Sequence, residues 1–192
     1  MTGLELAGFA DPVTDAQRCF RATLDAMARP GLVREAGVGL LAPPPLDPAT
    51  ASVLLTLVDG DVSLWLDPAF STAGEWLTFH CGVCPVSDPT RASFLAGRTL
   101  VEIGGVEIGS HEEPETGATF VLQVASLETG QRYRLRGPGL REAREIAVTG
   151  LPDDFATIWR ANHASFPRGI DLILCAGTRL MALPRSVAVE EA

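Results

Sequence analysis

Segments with helical spacing of apolar residues alternate with short apolar runs along most of this sequence. Spacing near 3.6 residues, together with capping and breaking residues, predicts helices at about residues 15–28, 48–59, 89–94 and 154–163. Apolar runs bounded by turn residues predict strands at residues 62–66, 77–81, 119–126, 131–136, 170–175 and 179–183. This alternation favours an α/β fold of three layers, α/β/α, with a mixed, mostly parallel sheet covered on both faces.

Local signals refine this picture. Thr14 and Gln17 form a capping-box pattern at the start of the first helix, and Asp47 is expected to cap the second. Strand 119–126 is predicted to return as 131–136 in a hairpin, and strand 170–175 to return as 179–183 in another. The acidic, glycine-punctuated segment between residues 102 and 116 is predicted to be a solvated loop. No repeat or linker interrupts the chain, so residues 1–192 are expected to form a single domain.

The basic residues exclude several chemistries, because all fifteen are arginine. Without lysine the chain cannot form an aldimine with pyridoxal phosphate, and it cannot build the lysine-containing loop that binds ATP in Walker-type proteins. The formal net charge of −9 argues against a nucleic-acid partner. Small anions remain possible ligands, since they require only a local pocket.

The expected location is the cytoplasm. No apolar run approaches the roughly 20 residues that cross a bilayer, and the first residues lack the pattern of a signal peptide, so no membrane partner is expected. Cys19, Cys81, Cys84 and Cys175 are too few and too irregularly spaced for the disulfide framework of a secreted protein. We therefore expect four free thiols.

The sequence TFHCGVCP, residues 78–85, raises the question of a metal or redox site. A structural zinc site needs four ligands, and no second cysteine pair supplies them; haem attachment requires the histidine after the second cysteine. We therefore expect no metal here and regard the two thiols as incidental. His80, predicted at a strand end beside an inward-facing Phe79, remains a candidate acid, base or ligand, with Pro85 ending the element.

The most suggestive charged cluster lies at the second predicted hairpin. Its turn places Asp171 opposite Leu183 and Gly169 opposite Arg185, so that Arg168, Asp171 and Arg185 gather at one end of the sheet. Two guanidinium groups around one carboxylate leave one positive charge, which suits a phosphate or phosphonate oxygen. The alternative is a structural ion pair where the strand begins.

The remaining arginine patterns also have structural interpretations. Arg29, in the last turn of the first helix, either complements the helix dipole or binds an anion. Arg132, Arg134 and Arg136 share one face of a strand, as a basic stripe or as the charge that keeps an edge strand soluble. The sequence Gly-Pro-Gly at 137–139 lacks the third glycine of a phosphate-binding fingerprint and is predicted to be a plain turn.

Five stretches of the sequence together carry a family resemblance: AMARPG, SVLLTLVDGDVSLWL, the Phe-His pair of TFHCGVCP, ATFVLQVASLETG and FPRGIDLILCAGTRLMALPRS. They resemble the PhnH family, the H subunit of the bacterial carbon–phosphorus lyase machinery. The resemblance extends from about Asp15 to Val189, and its last block is the most specific part. The pattern Phe-His-x-x-x-Pro of the family is matched by Phe79, His80 and Pro85 with one extra residue of spacing.

The resemblance implies a non-autonomous subunit of a core complex with PhnG, PhnI and PhnJ, and a homodimer. With PhnG, PhnI and PhnL, the family is understood to transfer ribose 5-triphosphate from ATP to methylphosphonate and to release adenine, which makes MgATP a substrate of the complex. It also implies a fold like the large domain of pyridoxal-phosphate-dependent transferases, without that cofactor, and no iron–sulfur cluster on this chain.

The resemblance supplies no catalytic residue, so the catalytic residues are unknown. The candidates for anion binding or for an interface come from the residue patterns alone: Arg29, His80, Arg168, Asp171 and Arg185. A different class of function, a stand-alone phosphonate- or nucleotide-binding enzyme that uses Arg168, Arg185 and His80, stays open.

Overall fold

The computed structural model describes residues 6–192. Within them, the α-helices are α1 (Pro12–Ala28), α2 (Pro48–Leu57), α3 (Gly74–Cys81) and α4 (Phe155–Ala164). The strands are β1 (Arg34–Glu35), β2 (Leu64–Leu66), β3 (Phe94–Gly97), β4 (Thr119–Gln123), β5 (Ser126–Arg136), β6 (Arg144–Thr149), β7 (Asp171–Ala176), β8 (Arg179–Leu183) and β9 (Ala188–Glu191). Short 3₁₀ turns cover Pro68–Ala73, Pro89–Arg91, Ile103–Gly105 and Pro114–Thr116.

A six-stranded sheet in the order β1-β8-β7-β4-β3-β2 forms the centre of the fold. Strands β2, β3, β4 and β7 are parallel to one another, whereas β8 and β1 run antiparallel to their neighbours. The predicted mixed, mostly parallel sheet is therefore confirmed. Strand β4 lies in its middle and is buried from Phe120 to Gln123, as expected for a strand covered on both faces.

The two faces of this sheet are covered differently. Helices α1, α2 and α3 cover one face, where Leu54, Trp76 and Val121 belong to one apolar core. The other face is covered by a second sheet, in the order β6-β5-β9, and by α4, with Phe120 and Trp159 in a second core. The predicted α/β/α layering is thus wrong for this second face, because β5 and β6 bury one side and expose the other, as half-buried antiparallel strands do.

The first predicted hairpin is also wrong. Residues 119–123 join the central sheet as β4, whereas β5 pairs with β6 and β9 in the second sheet. The reason lies in the side chains: β4 is apolar on both faces, but β5 alternates buried residues with arginines. Strand β4 therefore belongs in a sheet that is covered on both faces, and β5 in a sheet that is covered on one face.

Two short apolar segments have a different secondary structure from the one predicted. Residues 77–81 belong to helix α3 and not to a strand, and Gly82, with a φ of 72°, ends that helix in place of Pro85. The predicted helix over 89–94 is a single 3₁₀ turn followed by strand β3. Periodicity cannot distinguish a buried helix from a buried strand over so few residues.

Helix α1 begins earlier than predicted. Asp11 is its N-cap and accepts a hydrogen bond from the Thr14 backbone N–H at 3.1 Å, with Pro12 in the first turn, so the expected Thr14–Gln17 capping box is not the cap. Helices α2 and α4 are confirmed near their predicted positions. Asp47 is the N-cap residue of α2 as predicted, but its side chain makes no capping hydrogen bond and accepts from the Gly177 N–H instead. The predicted β7–β8 hairpin is confirmed with its register shifted by one residue, because Leu183 faces Leu172.

Across residues 6–192, each helix is too short or too polar to cross a bilayer.

Candidate functional site

Asp171 and Arg185 form a close ion pair at the amino ends of the parallel strands. Asp171 is the first residue of β7 and Arg185 follows the end of β8. The Arg185 backbone N–H donates to Asp171 Oδ1 at 2.8 Å, its Nε lies 3.2 Å from both carboxylate oxygens, and its Nη2 donates to Oδ2 at 2.7 Å. The side chains are only 11% (Arg185) and 19% (Asp171) exposed, so solvent screens the pair little.

Two further N–H groups of Arg185 bind backbone carbonyl groups. Its Nη1 donates to the Pro114 oxygen and its Nη2 to the Gly117 oxygen. A Cβ atom at Gly117 would lie 2.5 Å from Arg185 Nη1 and 2.4 Å from the Gly169 oxygen, so only glycine fits there. Arg185 therefore joins the loop before β4 to the β7–β8 hairpin, and its donors are directed at protein acceptors.

Arg168 is not part of this ion pair. Among the described residues it forms no salt bridge, and its Nε is buried without a hydrogen-bond partner. The structure thus brings together two of the three residues of the expected cluster, and the third remains an unpaired cation in the adjoining turn.

Asn162 contributes a polar link that the sequence analysis missed. It is 2% exposed on the inner face of α4, where its Oδ1 accepts from the Ile170 N–H at 2.8 Å and its Nδ2 donates to the Ile170 oxygen at 3.0 Å. A side chain at Gly169, whose φ is 133°, would collide with it. The sequence contains one indication of this role. Asn162 follows Phe155 and Trp159 at helical spacing, so its amide is expected on the buried face of the helix.

Arg29 and His80 lie apart from this pair. Arg29 is the C-cap residue of α1, and its Nη2 lies 3.1 Å from Asp25 Oδ1 on an exposed surface. His80 is in the last turn of α3 and not at a strand end; its Nε2 lies 3.2 Å from the Leu6 oxygen, and its ring packs against Trp76. Phe79, expected to pack inward, is 72% exposed.

The four cysteines are free thiols in the structure. Burial, with a smaller contribution from the charge of Asp59, raises the pKa of Cys81 to about 11, and burial also raises the pKa of Cys175. Both are protonated at neutral pH, which disfavours a nucleophilic or metal-binding thiolate. The histidine, cysteine and acidic side chains of residues 6–192 form no group of three or more that could hold a metal ion.

The basic stripe of β5 is neutralised by its neighbours. Arg132 and Arg134 lie 3.0 and 3.3 Å from the carboxylate of Glu145 on β6. Strand β5 is the central strand of its sheet, so the expected edge-strand interpretation is wrong. The Gly-Pro-Gly sequence at 137–139 connects two antiparallel strands, which confirms the predicted plain turn.

The sequence analysis also missed a cleft at the other end of the central sheet, opposite the Asp171–Arg185 pair. It has a volume of about 400 Å³ and lies where β3 and β4 end. Its polar lining residues are Asp47, Arg98 and Gln123, and Val124, Ala125 and Gly150 complete the lining. Arg98 and Gln123 stand at carboxyl ends of parallel strands, a position that often carries ligand-binding residues. The sequence analysis does not predict β3 and β4 as parallel neighbours, so it could not place Arg98 and Gln123 at the same end of the sheet.

Comparisons with known proteins extend these observations. Residues 7–190 match the model of the family described as "Bacterial phosphonate metabolism protein (PhnH)". The chain is 41% identical over 187 residues to alpha-D-ribose 1-methylphosphonate 5-triphosphate synthase subunit PhnH of Rhizobium meliloti (strain 1021), covering 95% of this chain and 94% of that protein. It is 33% identical over 177 residues to a Stutzerimonas stutzeri protein named "Putative C-P lyase subunit protein HtxG", covering 90% of this chain and 85% of that protein.

Proposed function

Because the chain belongs to the PhnH family of bacterial phosphonate-metabolism proteins, we propose that it is the PhnH subunit of an alpha-D-ribose 1-methylphosphonate 5-triphosphate synthase. The observation that carries this proposal is the 41% identity to such a subunit across 95% of the chain. The similarity to HtxG, which is named as a C-P lyase subunit, agrees with it. In this role the chain serves phosphonate catabolism as part of a complex and has no turnover alone.

The proposed reaction is the one that the family resemblance implies. Together with PhnG, PhnI and PhnL, the chain takes part in the transfer of ribose 5-triphosphate from ATP to methylphosphonate in the cytoplasm, and PhnJ joins it in the core complex. MgATP is then a substrate of the complex, and neither pyridoxal phosphate nor an iron–sulfur cluster belongs to this chain. The absence of lysine supports the first of these two exclusions, since the aldimine requires that side chain.

A fold like the large domain of pyridoxal-phosphate-dependent transferases is part of the same proposal. The parallel arrangement of β2, β3, β4 and β7, with three helices on one face, supports it. Both apolar cores pack against this one sheet, which supports a single domain.

The exposed face of α1 supports a homodimer. Val13, Phe20 and Leu24 are 80%, 50% and 57% exposed, and with Gln17 they form a stripe whose spacing of four, three and four residues reads the same in both directions. Two antiparallel copies of α1 related by a twofold axis therefore place Val13 of one copy against Leu24 of the other. A self-complementary patch of this kind is what a twofold interface requires.

The geometry favours this subunit role over a stand-alone enzyme that uses Arg168, Arg185 and His80. The donors of Arg185 bind Asp171 and two backbone carbonyls. His80 lies on α3, which covers the other face of the sheet from α4. These three side chains therefore do not converge on one ligand position.

A complementation experiment tests the proposal. A Rhizobium meliloti strain that lacks its PhnH subunit is given this chain and grown on methylphosphonate as the sole phosphorus source. We expect growth with the chain and none with an empty vector, and we expect the purified chain alone to release no adenine from ATP and methylphosphonate. Failure to restore growth by a folded, expressed chain would overturn the proposed role.

A further inference from the structure

The cleft defined by Asp47, Arg98 and Gln123 occupies the position where open α/β sheets commonly bind ligands. Arg98 follows the last residue of β3 and Gln123 is the last residue of β4, so both stand at carboxyl ends of parallel strands. The volume of about 400 Å³ is that of a small-molecule site. The cleft therefore lies at the opposite end of the parallel strands from the Asp171–Arg185 pair.

Arg98 supplies a cation that no carboxylate of residues 6–192 neutralises in an ion pair. One Nη2–H donates to the Pro45 oxygen at 3.1 Å, which fixes the side chain at the cleft. Among the described residues it forms no ion pair, and the neighbouring carboxylate of Asp67 instead accepts the backbone N–H groups of Ala69 and Arg98. The Arg98 guanidinium therefore retains more N–H groups for an anion than the Arg185 guanidinium does.

Gln123 and Asp47 form a rigid polar wall. Gln123 is 6% exposed; its Oε1 accepts from the Asp47 N–H at 2.7 Å and its Nε2 donates to the Pro45 oxygen at 3.0 Å. The Asp47 carboxylate accepts from the Gly177 N–H at 2.8 Å through Oδ2, and Oδ1 has no donor among the described residues. This wall offers a carboxylate oxygen that can accept a hydrogen bond from a ligand hydroxyl group and that repels an anion without one.

We propose that this cleft binds a phosphate or phosphonate ester that also carries hydroxyl groups, as a sugar phosphate does. Arg98 holds the phosphorus oxyanion with paired N–H donors. Asp47 accepts a hydrogen bond from a hydroxyl group of the same ligand, and its negative charge disfavours a phosphate without such a donor. The inference rests on the geometry of the cleft and not on the proposed subunit role.

Calorimetric titration of the full chain with ribose 5-phosphate tests this site. We expect one binding site per chain, and we expect Arg98→Gln to weaken the affinity about ten-fold or more, because a charged hydrogen bond is lost. Asp47→Asn should weaken the binding of ribose 5-phosphate but should not weaken the binding of inorganic phosphate. The matched control is Arg160→Gln, since Arg160 is an exposed arginine on α4 that forms no ion pair among the described residues.

Three results would overturn the inference: no heat of binding at ribose 5-phosphate concentrations of about 10 mM, equal affinity of Arg98→Gln and the unaltered chain, or inorganic phosphate binding as tightly as ribose 5-phosphate. Thermal unfolding of each variant confirms that it is folded before titration. Because binding is measured on the chain alone, this outcome is independent of the growth experiment, and either proposal can fail without the other.

Discussion

The environment of each arginine side chain decides what it can do, although all fifteen carry the same charge. The Arg185 guanidinium is largely buried and donates to a carboxylate and two carbonyl oxygens. Arg132 and Arg134 lie on an exposed sheet surface opposite one shared carboxylate. Among the described residues, the Arg98 guanidinium has a single protein acceptor, and it faces a cleft. We therefore assign a structural role to Arg185 and a ligand-binding role to Arg98.

Replacement of Arg185 by methionine tests the structural role. This change leaves the Asp171 carboxylate and two carbonyl oxygens without their donor, so we expect the free energy of unfolding to fall by about 3 kcal/mol. Arg132→Met, at an exposed pair, should cost less than about 1 kcal/mol. Urea unfolding measures both.

The double variant Asp171→Leu, Arg185→Met is the control for the charge itself. It removes both ions, so we expect it to be more stable than Arg185→Met alone. Equal losses for Arg185→Met and Arg132→Met would contradict the structural role of the pair.

The thiols are expected to differ in reactivity because only the thiolate is alkylated. Cys84 is exposed, whereas Cys81 is partly buried with its pKa raised to about 11, and Cys19 and Cys175 are buried. Iodoacetamide at pH 7.5 should modify Cys84 first, Cys81 more slowly, and the two buried thiols only after unfolding. Peptide mass spectrometry gives the order, and modification of Cys175 in the folded chain at the rate of Cys84 would contradict it.

Between elements, Asn162 is the polar connection of α4 to the start of β7. Its amide satisfies both backbone groups of buried Ile170. Asn162→Ala should therefore leave a buried N–H and a buried carbonyl unpaired and lower the free energy of unfolding by about 2–4 kcal/mol. Arg160→Ala, on the exposed face of the same helix, should change it by less than about 0.5 kcal/mol. A loss from Asn162→Ala as small as the control's would show that the two hydrogen bonds of Asn162 contribute little to stability.

Elements with a strong local signal were predictable from the sequence. Helices α1, α2 and α4 combine an aspartate at the N-cap position with apolar residues, and the β7–β8 hairpin combines apolar runs with a glycine turn. Helix α3 and strand β3 were not, because eight and four residues are too few for periodicity to choose between helix and strand. Strand β4 was assigned to the wrong sheet because its partners are distant in sequence.

The same reasons explain what could be predicted of the two sites. Asp171 and Arg185 belong to one hairpin, so their proximity follows from local pairing, even with the register shifted by one residue. Asp47, Arg98 and Gln123 lie far apart in the sequence, before α2, after β3 and at the end of β4, and only the tertiary fold brings them together. Sequence spacing carries no information on that arrangement.

For the whole molecule, the stripe on α1 predicts how the chain assembles. Phe20→Glu combined with Leu24→Glu introduces charges near the centre and at the end of the proposed twofold contact, so we expect a dimer to become a monomer in sedimentation equilibrium. Leu41→Glu, at a loop residue that is 72% exposed, is the control and should leave the mass unchanged. A dimer that persists in the double variant would place the interface elsewhere.

The absence of lysine gives the chain a simple alkaline titration. Its side-chain cations are arginines, which stay charged well above pH 11, so between pH 9 and 11 only four thiols and the single tyrosine can change charge. Burial raises the pKa of Cys81 to about 11, raises that of Cys175, and raises the pKa of Tyr133 to about 12. The unfolded chain therefore releases these protons at a lower pH than the folded chain.

The sign of the effect on stability follows directly. A group whose pKa is raised by folding contributes its full stability below its unfolded pKa, near 9 for the thiols, and loses it as the pH rises toward the folded value. The free energy of unfolding should thus be level from pH 7 to about 8.5 and then fall, by roughly 1.4 kcal/mol per pH unit for a thiol as buried as Cys175. Urea unfolding of the unaltered chain and of Cys175→Ala at pH 7 and pH 10.5 measures this. The variant should lose less stability between the two values, and parallel losses in both proteins would assign the alkaline transition to other groups.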